Sequence, residues 1–287
     1  MAFIGEAVLC IAENIVLFKK TKKYSYLLKA IFKIIVERRS FEVIWSLVCF
    51  VTLRPSPVVD SYNQMELINR AKNWAGKQSI IFSRTELEEL FGGTFPLNKI
   101  PDDFLSARSE SVLLVGQHLI IGEYADNSAR LLLLSTDSCH VEFFYNKMSG
   151  VRHIHSIHNE ESKSSILVST GDGEKVLDRW DLTSGKLQFN ARIKKRLAGY
   201  TAAVSVGGVS YFGTDFSSRP NYLETLFDNR YPFPITAYHM YVIRLDSFDE
   251  RYIYAISTQH GPVGSRKALS IFDVKQEVFV YCDYLDI

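Results

Sequence analysis

The stretch of residues 150–158 carries the residue types in this chain that are best suited to chemistry. It reads Gly-Val-Arg-His-Ile-His-Ser-Ile-His, so His153 and His155 are two positions apart. On a strand, residues at i and i+2 point to the same face. Two imidazoles beside a carboxylate can bind a divalent metal ion or transfer a proton. We therefore take His153, His155 and Asp172 as candidate metal ligands. The alternative is a structural network in which these groups hydrogen-bond to one another.

Three carboxylates are candidates for acid–base catalysis, namely Glu123, Asp172 and Asp215. Each lies where a short apolar run meets a turn, which is where propeller and barrel folds place binding groups. A pair of carboxylates supplies the general acid and the base or nucleophile of glycoside hydrolysis. Hydrogen bonds that only tie down turns are the competing interpretation for all three.

A set of polar and aromatic side chains completes the predicted ligand-binding surface. Its members are Arg152, His153, His155, Arg219 and Tyr222. Tyrosine rings stack on the apolar faces of sugars, although most aromatic residues of such a chain belong to the core. His158 has the opposite parity to His153, so we predict a solvated position at the end of its strand.

The elements that must position these residues are short strands, which begin at about residue 77. Short runs of β-branched and aromatic residues, the first at Ser79–Ser83, alternate with Gly, Asp, Ser and Asn clusters. A strand that ends in Asp, then a polar turn, recurs at Asp137, Asp181 and Asp273, with spacings of 44 and 92 positions. A period of about 40–50 residues is typical of propeller blades. We predict an all-β fold, a β-propeller of about five four-stranded blades over 77–287.

The first 57 residues differ in character and predict an α-helical segment before the propeller. They hold nine Lys or Arg and four Glu in three apolar stretches, none as long as the roughly 18 uncharged residues of a spanning helix. Lys29 and Lys33 lie one helical turn apart. Residues 1–57 are either a helical cap or an amphipathic anchor on a membrane surface. Residues 58–76 predict a linking helix.

Composition excludes several classes of protein. The formal net charge of +1 and the lack of basic runs with interleaved aromatics argue against a nucleic-acid partner. Four cysteines without C-x-x-C spacing indicate reduced thiols. No secretory signal is recognisable. We expect a cytoplasmic protein, with peripheral attachment to the inner face of the membrane as an extension, and no cofactor other than the divalent metal considered above.

Four motifs resemble those of one known family. They are Gly122-Glu-Tyr124, Arg152-His-Ile-His155, Ser169-Thr-Gly-Asp172 and Tyr211-Phe-Gly-Thr-Asp215. Together they resemble bacterial sialidase-like β-propellers of the BNR/Asp-box superfamily, which are met among proteins of surface-polysaccharide biosynthesis. No turn reads Ser-x-Asp-x-Gly-x-x-Trp, and Arg152, Arg219 and Arg244 are only available for an arginine triad.

The resemblance leaves three possible functions, and the residues above do not distinguish between them. The first is a glycan-binding propeller in surface or capsular polysaccharide or O-antigen biosynthesis, with carbohydrate as its partner and residues 1–57 docking it to a membrane or a membrane-bound partner. The second is a glycoside hydrolase or lyase acting on that polysaccharide. The third is a protein-interaction scaffold, because a fold does not fix a function.

Overall fold

A computed structural model describes most of the chain from Ser61 onward. The described ranges are 61–75, 81–125, 129–136, 138–144, 151–160, 164–171, 173–196, 199–216, 220–234, 236–259 and 266–285. The predicted helical segment 1–57 therefore lies outside the described residues. Helix α1, Ser61–Ala75, occupies most of the range predicted as a linking helix.

Antiparallel strands that follow one another in sequence form four sheets within the described residues. Blade 1 contains β2 (Ala107–Val115), β3 (His118–Glu123), β4 (Arg130–Leu134) and β5 (Cys139–Phe144). Blade 2 contains β6 (His153–Glu160), β7 (Ser165–Gly171), β8 (Lys175–Thr183) and β9 (Lys186–Arg196). Blade 3 contains β10 (Gly199–Val206), β11 (Val209–Asp215), β12 (Tyr222–Thr225) and β13 (Arg230–Pro232). Blade 4 contains β14 (Tyr241–Ser247), β15 (Tyr252–Thr258), β16 (Lys267–Asp273) and β17 (Val278–Leu285).

The first strand of each blade is innermost. Strand β2 packs on β6, β6 on β10, and β10 on β14, so the four sheets follow one another around a channel. Apolar side chains fill the spaces between blades, with Ile154 and Trp180 in one cluster and Val242 and Phe272 in another. The molecule is a β-propeller.

The prediction of about five blades is wrong, because the part of the chain that the structure describes forms four. The period was close, since strands from Ala107 to Leu285 allow about 45 residues per blade. The error was to begin the first blade at about residue 77, because the first strand of blade 1 begins at Ala107. Residues 81–106 form a two-residue strand β1 (Ile81–Phe82), helix α2 (Arg84–Phe91) and a 3-10 turn (Leu97–Lys99) instead of a blade.

Each innermost strand is irregular near its beginning. His155, Thr201 and Ile243 have no partner opposite them on the second strand of their blades, so each is the extra residue of a β-bulge. Strand β2 bulges more widely, since Ala107 pairs with Glu123 but the next pair is Val112 with Ile121.

The ring closes between blades 4 and 1 through side chains. The Nη2 of Arg108 donates a hydrogen bond to the carbonyl of Ile243 at 3.1 Å. Beside it, the Nε of Arg244 lies 3.6 Å from Oε1 of Glu110. No strand of the four described sheets is exchanged between the first and last blades, so this seam depends on buried polar groups.

Helix α1 and strand β1 flank the same seam on its two sides. Leu67, Ala71 and Trp74 of α1 pack on blade 4, and the indole of Trp74 lies 4.8 Å from the guanidinium carbon of Arg244. Strand β1 pairs with the start of β2 in blade 1. The segment before the propeller therefore bridges the first and last blades.

No helix in the described part of the chain is long and apolar enough to cross a membrane.

Candidate functional site

One end of the channel collects polar and aromatic side chains from all four blades. At this end the innermost strands begin and their partner strands finish, as antiparallel pairing requires. We call the following residues the mouth cluster: Arg108, Tyr124, His153, His155, Asp215 and Tyr241. They lie at the beginnings of the innermost strands β2, β6 and β14 or at the ends of β3 and β11, and the innermost strands pack on one another. Burial raises the pKa of Tyr241 in blade 4, while Arg108 lowers it, and Asp215 and Tyr124 raise it further.

Aromatic rings stack at the mouth. The ring of Tyr124 lies on that of His153, with centroids 3.9 Å apart and planes 9° from parallel. The His155 ring is nearly parallel to that of His153 at a centroid distance of 6.2 Å. Tyr124 also forms an isolated backbone bridge to His153, which links blade 1 to blade 2. Both imidazoles are buried, whereas Tyr124 is partly exposed and forms part of the rim.

Two glycines shape the seat of His155. A Cβ atom on Gly171 would lie 1.9 Å from Cε1 of His155, so the imidazole packs directly on the backbone of β7. A Cβ atom on Gly199 would lie 3.3 Å from the Nδ1 of the same ring. Burial lowers the pKa of His155 to about 3, and the positive charge of Arg108 contributes, with Asp215 opposing the shift. The imidazole of His155 is therefore neutral at physiological pH.

Asp215 is held at the mouth by a buried amide. The Oδ1 of Asn221 accepts hydrogen bonds from the hydroxyl of Thr214 at 3.0 Å and from the backbone N–H of Phe216 at 2.7 Å. These two residues flank Asp215 in sequence, so their bonds fix the backbone on both sides of the carboxylate. Asp215 is itself 8% exposed.

Glu123, a predicted catalytic carboxylate, is committed to an ion pair. Its two oxygens accept hydrogen bonds from Nε and Nη2 of Arg130, each at 2.6 Å, and Oε1 lies 3.3 Å from the backbone N–H of Leu105. The side chain is 1% exposed. A carboxylate bound on both oxygens inside the protein stabilises the fold and is poorly placed to exchange a proton with a substrate.

The structure describes two of the four remaining predicted site residues, Arg152 and Tyr222. Arg152 is exposed, and Tyr222 lies on β12 with its ring 5.9 Å from the guanidinium carbon of Arg230. Asp172 and Arg219 lie outside the described residues. Among residues that are described, no group of three His, Cys, Asp or Glu side chains could hold a metal ion.

The expectation that His158 is solvated is wrong. Its Nε2 lies 2.8 Å from the hydroxyl of Ser205 in blade 3, and its ring meets Phe212 edge-on at 6.2 Å. Burial lowers its pKa to about 4. The bulge at His155 reverses the alternation of β6, so that Ile154 and Ile157 share one core cluster and His158 faces the same side as His153.

Sequence reasoning did not select Arg108, Tyr124 or Tyr241 as site residues. Tyr241 occupies the first position of its innermost strand, as His153 does in blade 2, so an alignment of strand beginnings would have found it. Arg108 lies in the wide bulge of β2, where the backbone N–H of Arg108 donates to the hydroxyl of Ser111 at 3.1 Å. No periodicity marks such a position.

Comparisons with known proteins assign the chain to no family. No family model and no curated protein matches the chain. Among solved structures, one described as "Structure of Dos1 propeller" is similar over 59% of this chain and 45% of that chain, with a TM-score of 0.42 and 14% sequence identity. This chain therefore spans less than half the length of that propeller. No family model supports the sialidase-like resemblance, and the β-propeller is the level at which the four sheets establish the fold.

The contact between Gly171 and His155 predicts a matched pair of substitutions. We expect Gly171→Ala to lower the free energy of unfolding by about 1–3 kcal/mol, because its Cβ would overlap the imidazole ring. Gly93→Ala is the control, since a Cβ there would meet nothing within 4 Å. Urea denaturation of both variants measures the effect. Equal unfolding midpoints would show that His155 does not rest on Gly171.

Proposed function

We propose that this protein is a glycan-binding, sialidase-like β-propeller in surface or capsular polysaccharide or O-antigen biosynthesis, and that its ligand binds at the mouth cluster. The stack of Tyr124 on His153, with Tyr241 also partly exposed, carries the proposal. Aromatic rings accept the apolar faces of sugars, and the polar groups around them pair with hydroxyls.

The geometry favours binding over hydrolysis. Glycoside hydrolysis requires two carboxyl groups about 5–10 Å apart in one pocket. Of the predicted catalytic carboxylates that are described, Glu123 is bound on both oxygens by Arg130, which leaves Asp215 at the mouth. A carboxylate such as Asp215 can orient a sugar hydroxyl without any reaction.

Titration of the full chain with a panel of surface-polysaccharide fragments tests this proposal. We expect Tyr124→Ala to weaken binding about 2- to 10-fold, because the stacking surface is lost. Tyr252→Ala is the matched control. Tyr252 is also partly buried, but it begins the second strand of blade 4 and so lies at the end of the sheet away from the mouth. Calorimetry gives both affinities. Binding that Tyr124→Ala leaves unchanged, or no binding of any fragment, would contradict the proposal.

We also propose that residues 1–57 attach the propeller to an anionic membrane surface, on the cytoplasmic side. The excess of Lys and Arg over Glu in this segment and its apolar stretches support the proposal.

Flotation of the full chain with vesicles tests the attachment. We expect Lys29→Glu combined with Lys33→Glu to reduce recovery with phosphatidylserine-containing vesicles about tenfold or more, since each basic residue contributes about 1 kcal/mol near such a surface. Lys72→Glu with Lys186→Glu makes the same change of charge at two exposed positions of the described chain. Equal loss of flotation in both double variants would mean that overall charge, and not residues 1–57, drives the attachment.

A further inference from the structure

Within the part of the chain that the structure describes, two buried nitrogen atoms of the mouth cluster lack a hydrogen-bond partner. They are Nε of Arg108 and Nδ1 of His155. The two residues are 7% and 3% exposed. Leaving a buried donor unpaired costs free energy, and the cost is larger when the donor belongs to a charged group. Native proteins keep such groups where a ligand or an ordered water completes the hydrogen bond.

The structure holds the guanidinium of Arg108 in one orientation. Its Nη2 is bound to the carbonyl of Ile243 across the ring closure, at 3.1 Å. The backbone N–H of Arg108 donates to the hydroxyl of Ser111 at 3.1 Å, and this hydroxyl donates to the carbonyl of Gly122 at 2.7 Å. The side chain is therefore anchored at its tip and its base, and its Nε–H cannot turn to another protein acceptor without breaking these bonds.

His155 lies on β6, which packs on the strand β2 that carries Arg108. Gly171 supports one side of its ring, and the absence of a side chain at Gly199 leaves room beside Nδ1. Arg108 is close enough to help lower the pKa of His155. A neutral imidazole donates from one ring nitrogen, so a proton on Nδ1 turns this atom into a second donor.

More positive groups than carboxylates act on His155. Burial lowers its pKa most, Arg108 and Lys175 lower it further, and the carboxylate of Asp215 raises it. Burial raises the pKa of Glu110, the nearest carboxyl of the ring closure, to about 8, so at neutral pH it is mostly protonated and does not neutralise Arg108.

We infer that the inner part of the mouth binds an oxyanion, a carboxylate or phosphate group, through Nε of Arg108 and Nδ1 of His155. Guanidinium groups pair with both anions by charge-assisted hydrogen bonds. The inference rests on the proposed function, because it makes the glycan an acidic one whose charged group enters the channel while its ring meets Tyr124.

Calorimetry with four probes tests the oxyanion site: inorganic phosphate, glucuronate, glucose 6-phosphate and glucose. We expect Arg108→Gln to weaken the binding of the charged probes about 10- to 100-fold, as for the loss of a charged hydrogen bond. Arg251→Gln is the matched control, because it removes the same charge from blade 4 at the end of the sheet away from the mouth. We expect it to change these affinities less than about threefold.

The four probes separate the possible results. Glucuronate tighter than glucose 6-phosphate identifies a carboxylate site, and the reverse identifies a phosphate site. If inorganic phosphate binds in a way that depends on Arg108, but neither glucuronate nor glucose 6-phosphate binds, the oxyanion site is supported and the proposal of a glycan ligand is overturned. Glucose bound as tightly as glucuronate, with no effect of Arg108→Gln, overturns the oxyanion site and leaves the glycan proposal standing. Absence of binding by every charged probe also overturns the oxyanion site.

A second variant covers the case in which Arg108→Gln fails to fold. His155→Gln leaves the bond between Arg108 and Ile243 in place and removes the imidazole donor. We expect it to weaken the charged probes about 3- to 10-fold, as for a neutral hydrogen bond. Unchanged affinities in a folded His155→Gln protein would overturn the part assigned to this residue.

Discussion

The ring of four blades depends on the buried polar contact between its first and last sheets. Each described sheet is built from consecutive strands, so within the described residues the first and last blades exchange no strand. Arg108 reaches the carbonyl of Ile243, and Arg244 lies beside Glu110, in a layer covered by Trp74. Buried polar groups are costly unless they are hydrogen-bonded, and the guanidinium of Arg108 reaches its carbonyl partner only when blades 1 and 4 meet. Closure of the ring therefore also completes the mouth cluster, because Arg108 takes part in the contact between blades 1 and 4 and is a member of that cluster.

The bulges of the innermost strands connect closure to the site. A bulged residue leaves the alternation of its strand and can turn toward a neighbouring blade or the channel. The hydroxyl of Thr201, in the bulge of β10, donates to the carbonyl of Val242 in blade 4. The bulge of β14 exposes the Ile243 carbonyl that Arg108 uses. His155, in the third such bulge, keeps an unpaired ring nitrogen instead. The bulge position therefore makes a contact between blades in β10 and β14, whereas in β6 it is available to bind a ligand.

Much of the fold could be predicted from local sequence. Asp181 and Asp273 both lie on the third strand of their blades, two blades apart, which is why their spacing revealed the period. The blade count failed where a local signal went unused. Ser83 and Glu86 form a capping box at the start of helix α2, with the N–H of Ser83 bound by Glu86 at 2.7 Å. This motif predicts a helix where the first of the five blades was expected, and so favours four blades.

The site was less predictable, because its composition depends on register and on distant partners. Odd and even positions identify the two faces of a strand only where the strand has no bulge. The bulge in β6 places His158 on the same face as His153. Glu123 read as a free carboxylate because its partner, Arg130, is on the next strand of the sheet. Arg108 lies in a wide bulge that no periodicity describes.

The dependence of stability on pH, compared between the wild-type protein and Glu110→Gln, tests the closure most directly. Burial raises the pKa of Glu110 from 4.5 to about 8, with Arg244 opposing the shift. The native state therefore holds a proton that the unfolded chain releases between these values, and this contribution to stability is lost as pH rises toward 8. We expect the wild-type free energy of unfolding to fall relative to that of Glu110→Gln between pH 5 and 8. Parallel curves would show a solvated Glu110 and an open ring.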